Sequence, residues 1–379
     1  MATETTSGRD TLCGDVAMKK ILHVLGTRPN FVKMAPVISA LAEAMPDTGQ
    51  VIVHTGQHYD RMMSEIFFEE LGVPRPDHSL EVGSGSHAIQ TARVMERLEP
   101  VLEEERPDLV MVPGDVNSTL AAALTSVKLG VDVAHVEAGL RSWDRTMPEE
   151  VNRILTDAIS TTLFTHSPEA LDNLVREGID PTRIEFVGNT MIDTLVALEG
   201  RFKGLDAANR MGLDRKGYLL VTLHRPALVD GPLLPQTIEA LVEVSKQIPV
   251  LFPVHPRTRA NMERAASKLS GEGGDLRLVD PVGYLDFLSL ENDAAAVLTD
   301  SGGIQEETTY LGTPCFTLRD NTERPVTVEV GTNTLLGLDP ARIAEIPQLI
   351  EAGPDHTPGI PPLWDGNASR RIAELLASR

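Results

Sequence analysis

The stretch ILHVLGTRPNFVKMAPVISALAEA, residues 21–44, decides the fold. An apolar run (21–25) breaks at Gly26-Thr27-Arg28-Pro29, and residues 31–44 then carry helical spacing despite Pro36. Strand, tight glycine loop and helix are the opening of a parallel α/β unit. The rhythm recurs. Residues 51–54 run into Thr55-Gly56-Gln57-His58, and residues 109–112 into Pro113-Gly114-Asp115 and an Ala-rich helix. Residues 132–136 run into Glu137-Ala138-Gly139, and 162–165 into Ser167-Pro168. Continuous apolar runs of this kind mark parallel strands buried on both faces. After a further run at 184–187, which ends at Gly188-Asn189-Thr190, the pattern restarts with strand candidates at 218–222, 250–254, 276–279 and 295–298. Residues 351–365 are rich in Pro and Gly and read as a loop, and 370–378 (RRIAELLAS) read as a last amphipathic helix. The chain is therefore expected to be α/β, in two parallel-sheet halves. Ligands of open parallel sheets bind beyond the carboxyl ends of the strands, which places a cleft between the halves.

Composition narrows the function. The 379 residues hold 34 Lys+Arg against 55 Asp+Glu, a net charge of -21, which argues against a nucleic-acid binder because phosphate backbones demand a basic surface. Anionic ligands must then be met by locally placed Arg, Lys and backbone N–H groups. Cys13 and Cys315 make no disulfide framework and offer no thiolate set for zinc, which points to a reducing compartment and no metal. No run of about 18 apolar residues offers a membrane span. Residues 1–18 are polar, lack the apolar stretch of a secretion signal and read as a flexible leader, so the expected location is the cytoplasm.

The chemically capable residues fall at strand ends. Arg28 and Lys33 flank the start of the first helix, where free N–H groups attract an anion. Thr299-Asp300-Ser301-Gly302-Gly303-Ile304-Gln305-Glu306-Glu307 follows the run 295–298. Its paired glycines at a strand-to-helix junction suit close approach of a phosphate, and the two acids lie where a carboxylate accepts ribose hydroxyls; the plain alternative is a helix cap with exposed acids. Asp115 and Glu137 each end a strand, with Arg141 near Glu137. Glu149 and Glu150 follow Pro148 and fall in the first turn of a helix, where acids are also ordinary dipole partners. His224-Arg225 and His255-Pro256-Arg257 each close a strand in an acidic chain. Gly83-Ser84-Gly85-Ser86-His87-Ala88 fits a dinucleotide fingerprint but lacks a preceding apolar strand, and Glu103, Glu104 and Glu105 sit in a charged helix, so that reading is rejected.

Taken in order, these motifs resemble a known family. Gly26-Thr27-Arg28-Pro29, Lys33-Met34-Ala35-Pro36, Thr55 to His58, His135 to Arg141, Pro148-Glu149-Glu150, Val187 to Thr190, Thr299 to Glu307, Arg319-Asp320 and Thr322-Glu323-Arg324-Pro325 follow the pattern of the non-hydrolysing UDP-N-acetylglucosamine 2-epimerases. The resemblance runs from Lys19 to Arg379. It implies two Rossmann-like α/β/α domains in the GT-B arrangement, residues 19–187 plus 366–379 and residues 188–365. It also implies reversible interconversion of UDP-GlcNAc and UDP-ManNAc by elimination and re-addition of UDP through a 2-acetamidoglucal, without cofactor or metal, in a homodimer. By the family's pattern Asp115, Glu137, Glu149 and His224 are catalytic. Arg28, Lys33, Arg225, His255, Arg257, Phe287, Ser301, Gly302, Gly303, Glu307 and Arg324 bind the substrate, with Glu307 on the ribose. Gln57 and His58 belong to a second nucleotide site. Which carboxylate takes the proton in each direction stays open. A hydrolysing 2-epimerase, a retaining GT-B glycosyltransferase using a UDP-sugar and a non-catalytic sugar-nucleotide sensor are the rival readings; the sensor would not keep three catalytic acids.

The chain also departs from that pattern. Asn30 stands where many members have Glu, Gly83-Ser84-Gly85-Ser86 where many have a Gln-containing segment, and Pro226-Ala227-Leu228 where many have Arg-Glu-Asn after His-Arg. The missing Gln and second Arg are activator-binding groups in members stimulated by a second UDP-GlcNAc. Rate against UDP-GlcNAc is therefore expected to be hyperbolic. A Hill coefficient clearly above one, abolished by changing Gln57, would contradict this.

Overall fold

The computed structural model describes residues 18–56, 70–229, 231–254, 259, 262–263 and 273–379. The leader expected over residues 1–18 lies, up to residue 17, outside them. The first unit runs β1 (Lys20–Leu25), α1 (Arg28–Ala44), β2 (Gly49–His54), β3 (His78–Ser79), α2 (His87–Glu105), β4 (Leu109–Pro113), α3 (Asn117–Lys128), β5 (Asp132–Ala138), α4 (Pro148–Ile159), β6 (Thr162–Thr165), α5 (Pro168–Arg176) and β7 (Ile184–Phe186). Helix α6 (Thr190–Phe202) leads to the second unit: β8 (Leu219–Thr222), α7 (Leu234–Ser245), β9 (Val250–Pro253), β10 (Leu276–Val279), α8 (Tyr284–Asp293), β11 (Ala296–Thr299), α9 (Gly302–Leu311), β12 (Cys315–Thr317) and β13 (Asn333–Leu335). The chain closes with α10 (Ala368–Ala377).

The strands form two parallel sheets, ordered β3-β2-β1-β4-β5-β6-β7 and β10-β9-β8-β11-β12-β13. In each, the order reverses beside the first strand of its unit, β1 or β8, which opens a crevice at the carboxyl ends. The first sheet is buried on both faces because its strands alternate apolar residues to either side. Ile21 and Leu25 of β1, with Ile52, Met111 and Val136, pack against Phe31, Met34, Val37 and Leu41 of α1. Leu22 and Val24 pack the other way, with Val94, Leu98 and Leu102 of α2 and Ala121 to Ala123 of α3. Among the described residues, no helix is long and apolar enough to cross a membrane.

Two features join the units. Ile372, Ala373 and Leu376 of α10 pack into the same cluster as α1. Asp193 of α6 anchors that returning helix: its carboxylate accepts from the backbone N–H groups of Ala368 (3.1 Å) and Ser369 (2.6 Å) and from the Ser369 hydroxyl. The Thr194 hydroxyl donates to the Val32 carbonyl at 2.6 Å, tying α6 to α1. The sequence reading did not name β3, β12 and β13, of two, three and three residues, because runs this short carry no readable periodicity.

Candidate functional site

The site forms where the carboxyl ends of the two sheets meet, and its centre is Glu137. This residue ends β5 at φ 72°, a left-handed conformation that side chains other than glycine rarely adopt, and the pairing of β5 with β6 shifts register beside it. Such backbone strain persists only where the surroundings over-determine it. The next glycine is obligatory as well: Gly139 has φ 83°, and an added Cβ would run into the Ala170 carbonyl. Together these deviations turn the Glu137 side chain off the strand into a buried junction, where it is 8% exposed.

Cations receive it from both sides. The Lys33 ammonium, one turn into α1, pairs with Glu137 Oε2. Arg324, which follows β12 in the second unit, donates from Nη2 to Glu137 Oε1 at 2.8 Å. Burial pushes the carboxyl up, but Lys33 and then Arg324 outweigh it, and Glu137 sits below its ordinary pKa. The loop carrying Asp115 lies directly alongside: a Cβ on Gly114 would stand 3.3 Å from Glu137 Oε2 and 3.4 Å from Lys33 Nζ. His135 braces this loop, its Nε2 lying 2.7 Å from the Gly114 carbonyl and its Nδ1 2.7 Å from Asp157.

Asp115 is half-buried and its carboxylate is gripped by Arg153 of α4, while its carbonyl accepts from Asn152 at 2.9 Å. Arg153 also pairs with Glu150 at 2.7 Å. Glu150, fully buried, accepts from the Ser142 and Trp143 N–H groups and the Ser142 hydroxyl, so it braces the loop before its own helix. Its neighbour Glu149 stays half-buried and faces the field of Arg225 from the other unit. The adjacent acids of Pro148-Glu149-Glu150 thus divide into a structural brace and a group turned towards the junction.

The second unit supplies a helix start and an imidazole. Ser301 caps α9 at the end of β11, its own N–H donating to the Thr299 hydroxyl at 3.0 Å, and Gly302 and Gly303 open the helix, where the first-turn N–H groups and the helix dipole favour an anion. Gly302 is required by packing, because a Cβ there would collide with the Arg324 guanidinium. The His224 side chain is 64% exposed, with Nδ1 2.8 Å from Asp300 Oδ1. Asp300 also accepts from the N–H groups of His224 and Arg225 and so sets the turn that presents both. Arg225 is half-buried; burial, and then the nearby Arg319, lower its pKa.

The structure brings Lys33, Glu137 and Arg324 into direct contact and sets the Asp115 loop beside them. Arg28 is exposed at the first residue of α1. Phe287 is half-buried and packs against the cluster that holds Tyr218, Leu220 and Leu290. His224 contacts Asp300 and touches none of the first-unit carboxylates in the described interactions. Glu307 is 1% exposed and takes a hydrogen bond from the Tyr284 hydroxyl at 2.7 Å. His255, Arg257, Gln57 and His58 lie outside the described residues. The departure at Asn30 has a local explanation: its Oδ1 accepts from the N–H groups of Gly26 and Thr27, both at 3.1 Å, and its Nδ2 donates to the Pro113 carbonyl. It closes the α1 start as a capping residue reaching back. Arg153 and His166 escaped the sequence reading, and Glu323 entered it only within the motif before Arg324. Arg153 alone had a signal, falling three and four residues after Glu150 and Glu149 on one helix face.

Two parallel α/β units, with a charged junction where the carboxyl ends of their sheets meet, define a two-domain α/β class of enzyme. The comparisons with known proteins agree. The family model described as UDP-N-acetylglucosamine 2-epimerase matches residues 41–377. The Methanococcus maripaludis protein named UDP-N-acetylglucosamine 2-epimerase is 41% identical, over 95% of this chain and 98% of its own. A Pseudomonas aeruginosa protein named UDP-2,3-diacetamido-2,3-dideoxy-D-glucuronate 2-epimerase is 43% identical, over 94% of this chain and 99% of its own. The crystal structure of Methanocaldococcus jannaschii UDP-GlcNAc 2-epimerase in complex with UDP-GlcNAc and UDP superposes with a TM-score of 0.85 at 41% identity, covering 95% of this chain and all of that one. The chain belongs to the UDP-N-acetylglucosamine 2-epimerase family.

One buried acid pair gives the junction a pH signature. Glu307 and Glu291 of α8 are 1% and 0% exposed, and each carboxyl lies in the other's field, which disfavours two charges there. Burial pushes Glu307 up to about 7 and Glu291 well above its ordinary value. Between the unfolded carboxyl value of 4.5 and about 7, the folded chain holds a proton that the unfolded chain has lost. Stability from this pair is therefore lost as pH rises through that window. Glu291→Gln is expected to raise Tm by a few degrees near pH 8, on the order of 1–3 kcal/mol, and by much less near pH 5. Equal shifts at both pH values in thermal melts would refute the upward displacement of these carboxyls.

Proposed function

We propose that the chain interconverts UDP-N-acetylglucosamine and UDP-N-acetylmannosamine by moving the hydrogen at sugar C2. The observation that carries this is Glu137, a buried, ionised carboxylate held by one cation from each unit beside a second carboxylate, Asp115. A carboxylate so held is kept ionised and fixed in place, the state from which a general base starts. In the proposed reaction a carboxylate takes the C2 hydrogen as the C1–O bond breaks and UDP leaves, giving the 2-acetamidoglucal. UDP then adds back at C1 while a protonated carboxyl returns hydrogen to the opposite face of C2. Glu137 serves one face, and Asp115 and Glu149 are the candidates for the other. Charge developing on the departing diphosphate is met by the α9 N–H groups at Gly302 and Gly303 and the Ser301 hydroxyl, with Arg28, Arg225 and His224 as further donors. In this reading the nucleotide-binding unit is 188–365, the other is 19–187 with 366–379, and the site lies in the cytoplasm.

The exposed apolar residues Trp143 (59%), Val151 (39%), Leu155 (46%) and Val175 (46%) lie on α4, α5 and the loop before them, and they support a homodimer through this face. A dimer mass by light scattering, reduced to the monomer mass by Leu155→Arg, is the expected result; a monomeric parent protein would reject it.

The relative at 43% identity named for a diacetamido-glucuronate substrate supports a second reading that shares the C2 chemistry and differs in the sugar. Incubation of each UDP-sugar in D₂O, followed by proton NMR, separates the possibilities. Epimerisation gives an inverted product carrying deuterium at C2 with UDP attached, and Glu137→Gln lowers its rate by at least about 100-fold. Release of the free sugar would mark a hydrolysing enzyme. Unlabelled, unchanged UDP-GlcNAc would overturn the first reading.

A further inference from the structure

Behind Glu137 lies a second buried contact, carboxyl to imidazole, that the reaction as described does not use. Glu306 of α9 is 0% exposed and His166, just after β6, is 2% exposed. His166 Nε2 stands 3.2 Å from Glu306 Oε1, and that same oxygen lies 2.8 Å from Arg324 Nε. Donor atoms of Glu137, His166 and Glu306 all fall within 4.8 Å of one another. The Lys33 ammonium and Arg324 guanidinium already occupy the two Glu137 oxygens, so the cluster is neutralised by side chains from within. Glu306 is thus enclosed in the junction rather than open to a nucleotide.

The planar guanidinium explains the arrangement. Arg324 addresses Glu137 from Nη2, Glu306 from Nε and Glu323 from Nη1, the last at 2.6 Å. A rigid fork held at two edges can present its third in only one direction. His166 is in turn held by Trp364, whose indole N–H donates to the His166 carbonyl at 2.9 Å. His166 and Glu137 belong to the first unit, Glu306 and Arg324 to the second.

We propose that Glu306 and His166 are positioning residues of the reaction: His166 of the first unit holds Glu306 of the second, and Glu306 holds the Arg324 guanidinium against Glu137, so the carboxylate is set only while the second unit sits on the first. The proposal rests on the reading of Glu137 as a group that takes the C2 hydrogen. Charged groups face Glu137 from every side: Lys33 on α1, His166 after β6, Glu306 on α9 and Arg324 after β12, with Glu323 and Asp115 behind Arg324.

The sign of one pH shift separates positioning from plain electrostatics. As a negative neighbour, Glu306 raises the Glu137 pKa, so deleting its charge alone would move the acidic limb of the kcat profile to lower pH. As the anchor of Arg324, its loss lets the guanidinium drift from Glu137 and moves the limb to higher pH.

The experiment measures kcat and KM of the full chain from about pH 4 to pH 9 for Glu306→Gln, Glu306→Asp and His166→Asn, with C2 deuterium uptake as the readout. For Glu306→Gln and His166→Asn, kcat is expected to fall about 10- to 100-fold with KM changed less than about threefold, and the acidic limb to rise by about one pH unit. Glu306→Asp, which keeps the charge, restores part of both. A limb that stays or moves down, or an effect on KM alone, overturns the positioning role while leaving the epimerase reading intact. A parent chain that leaves the C2 hydrogen in place overturns both. Should Glu306→Gln fail to fold, Glu306→Asp still carries the test, because it keeps the charge and shortens the reach to Arg324; His166→Asn raises the limb on either account and tests the fall in kcat alone.

Discussion

A carboxylate cannot be buried without partners, and in this protein the partners of Glu137 come from two different domains. An isolated charge in a dry interior costs several kcal/mol even after relaxation, unless it is paired and hydrogen-bonded. Lys33 meets that demand from α1 and Arg324 from beyond β12. The ionised state of Glu137 is therefore a property of the assembled junction, and neither sheet supplies it alone. The strained backbone of Glu137, the bulge in β5 and the bare Cα of Gly302 all serve this one meeting of charges.

The contrast between Glu306 and Glu307 shows how much neighbours matter. They are adjacent on α9, both carboxyls and both buried. Burial pushes each one up. In Glu306 it is outweighed by Arg324 and His166, and the group falls to about 2; in Glu307 no cation intervenes, Tyr284 and Glu291 enclose it, and it rises to about 7. One helix thus carries a fixed anion on its junction side and a proton-holding acid towards α8. Pairs of titratable groups driven apart in this way are a mark of functional sites.

Much of this was legible in the order of residues. The run at 21–25 before Gly26, and its repeats at 51–54, 109–112 and 132–136, read as strands because parallel strands buried on both sides leave no polar alternation. The glycines and acids at their ends marked the site, since loops at those ends converge in any parallel sheet. Other features were not legible. Glu149 and Glu150 are equivalent on paper, and only packing makes Glu150 the brace of the Ser142–Trp143 loop. His166 sits in an unremarkable strand end and gains meaning only from Glu306, 140 residues later.

Sequence by itself determined the fold class and the family, because hydrophobic periodicity and ordered motifs are local properties of the chain. Tertiary structure alone decided their charge states and alliances: Arg324 against Glu137, Arg153 against Asp115, Glu291 against Glu307. The reason is physical. Charge in a protein interior answers to distance and desolvation, and neither quantity exists until chain segments far apart in sequence have been packed against one another.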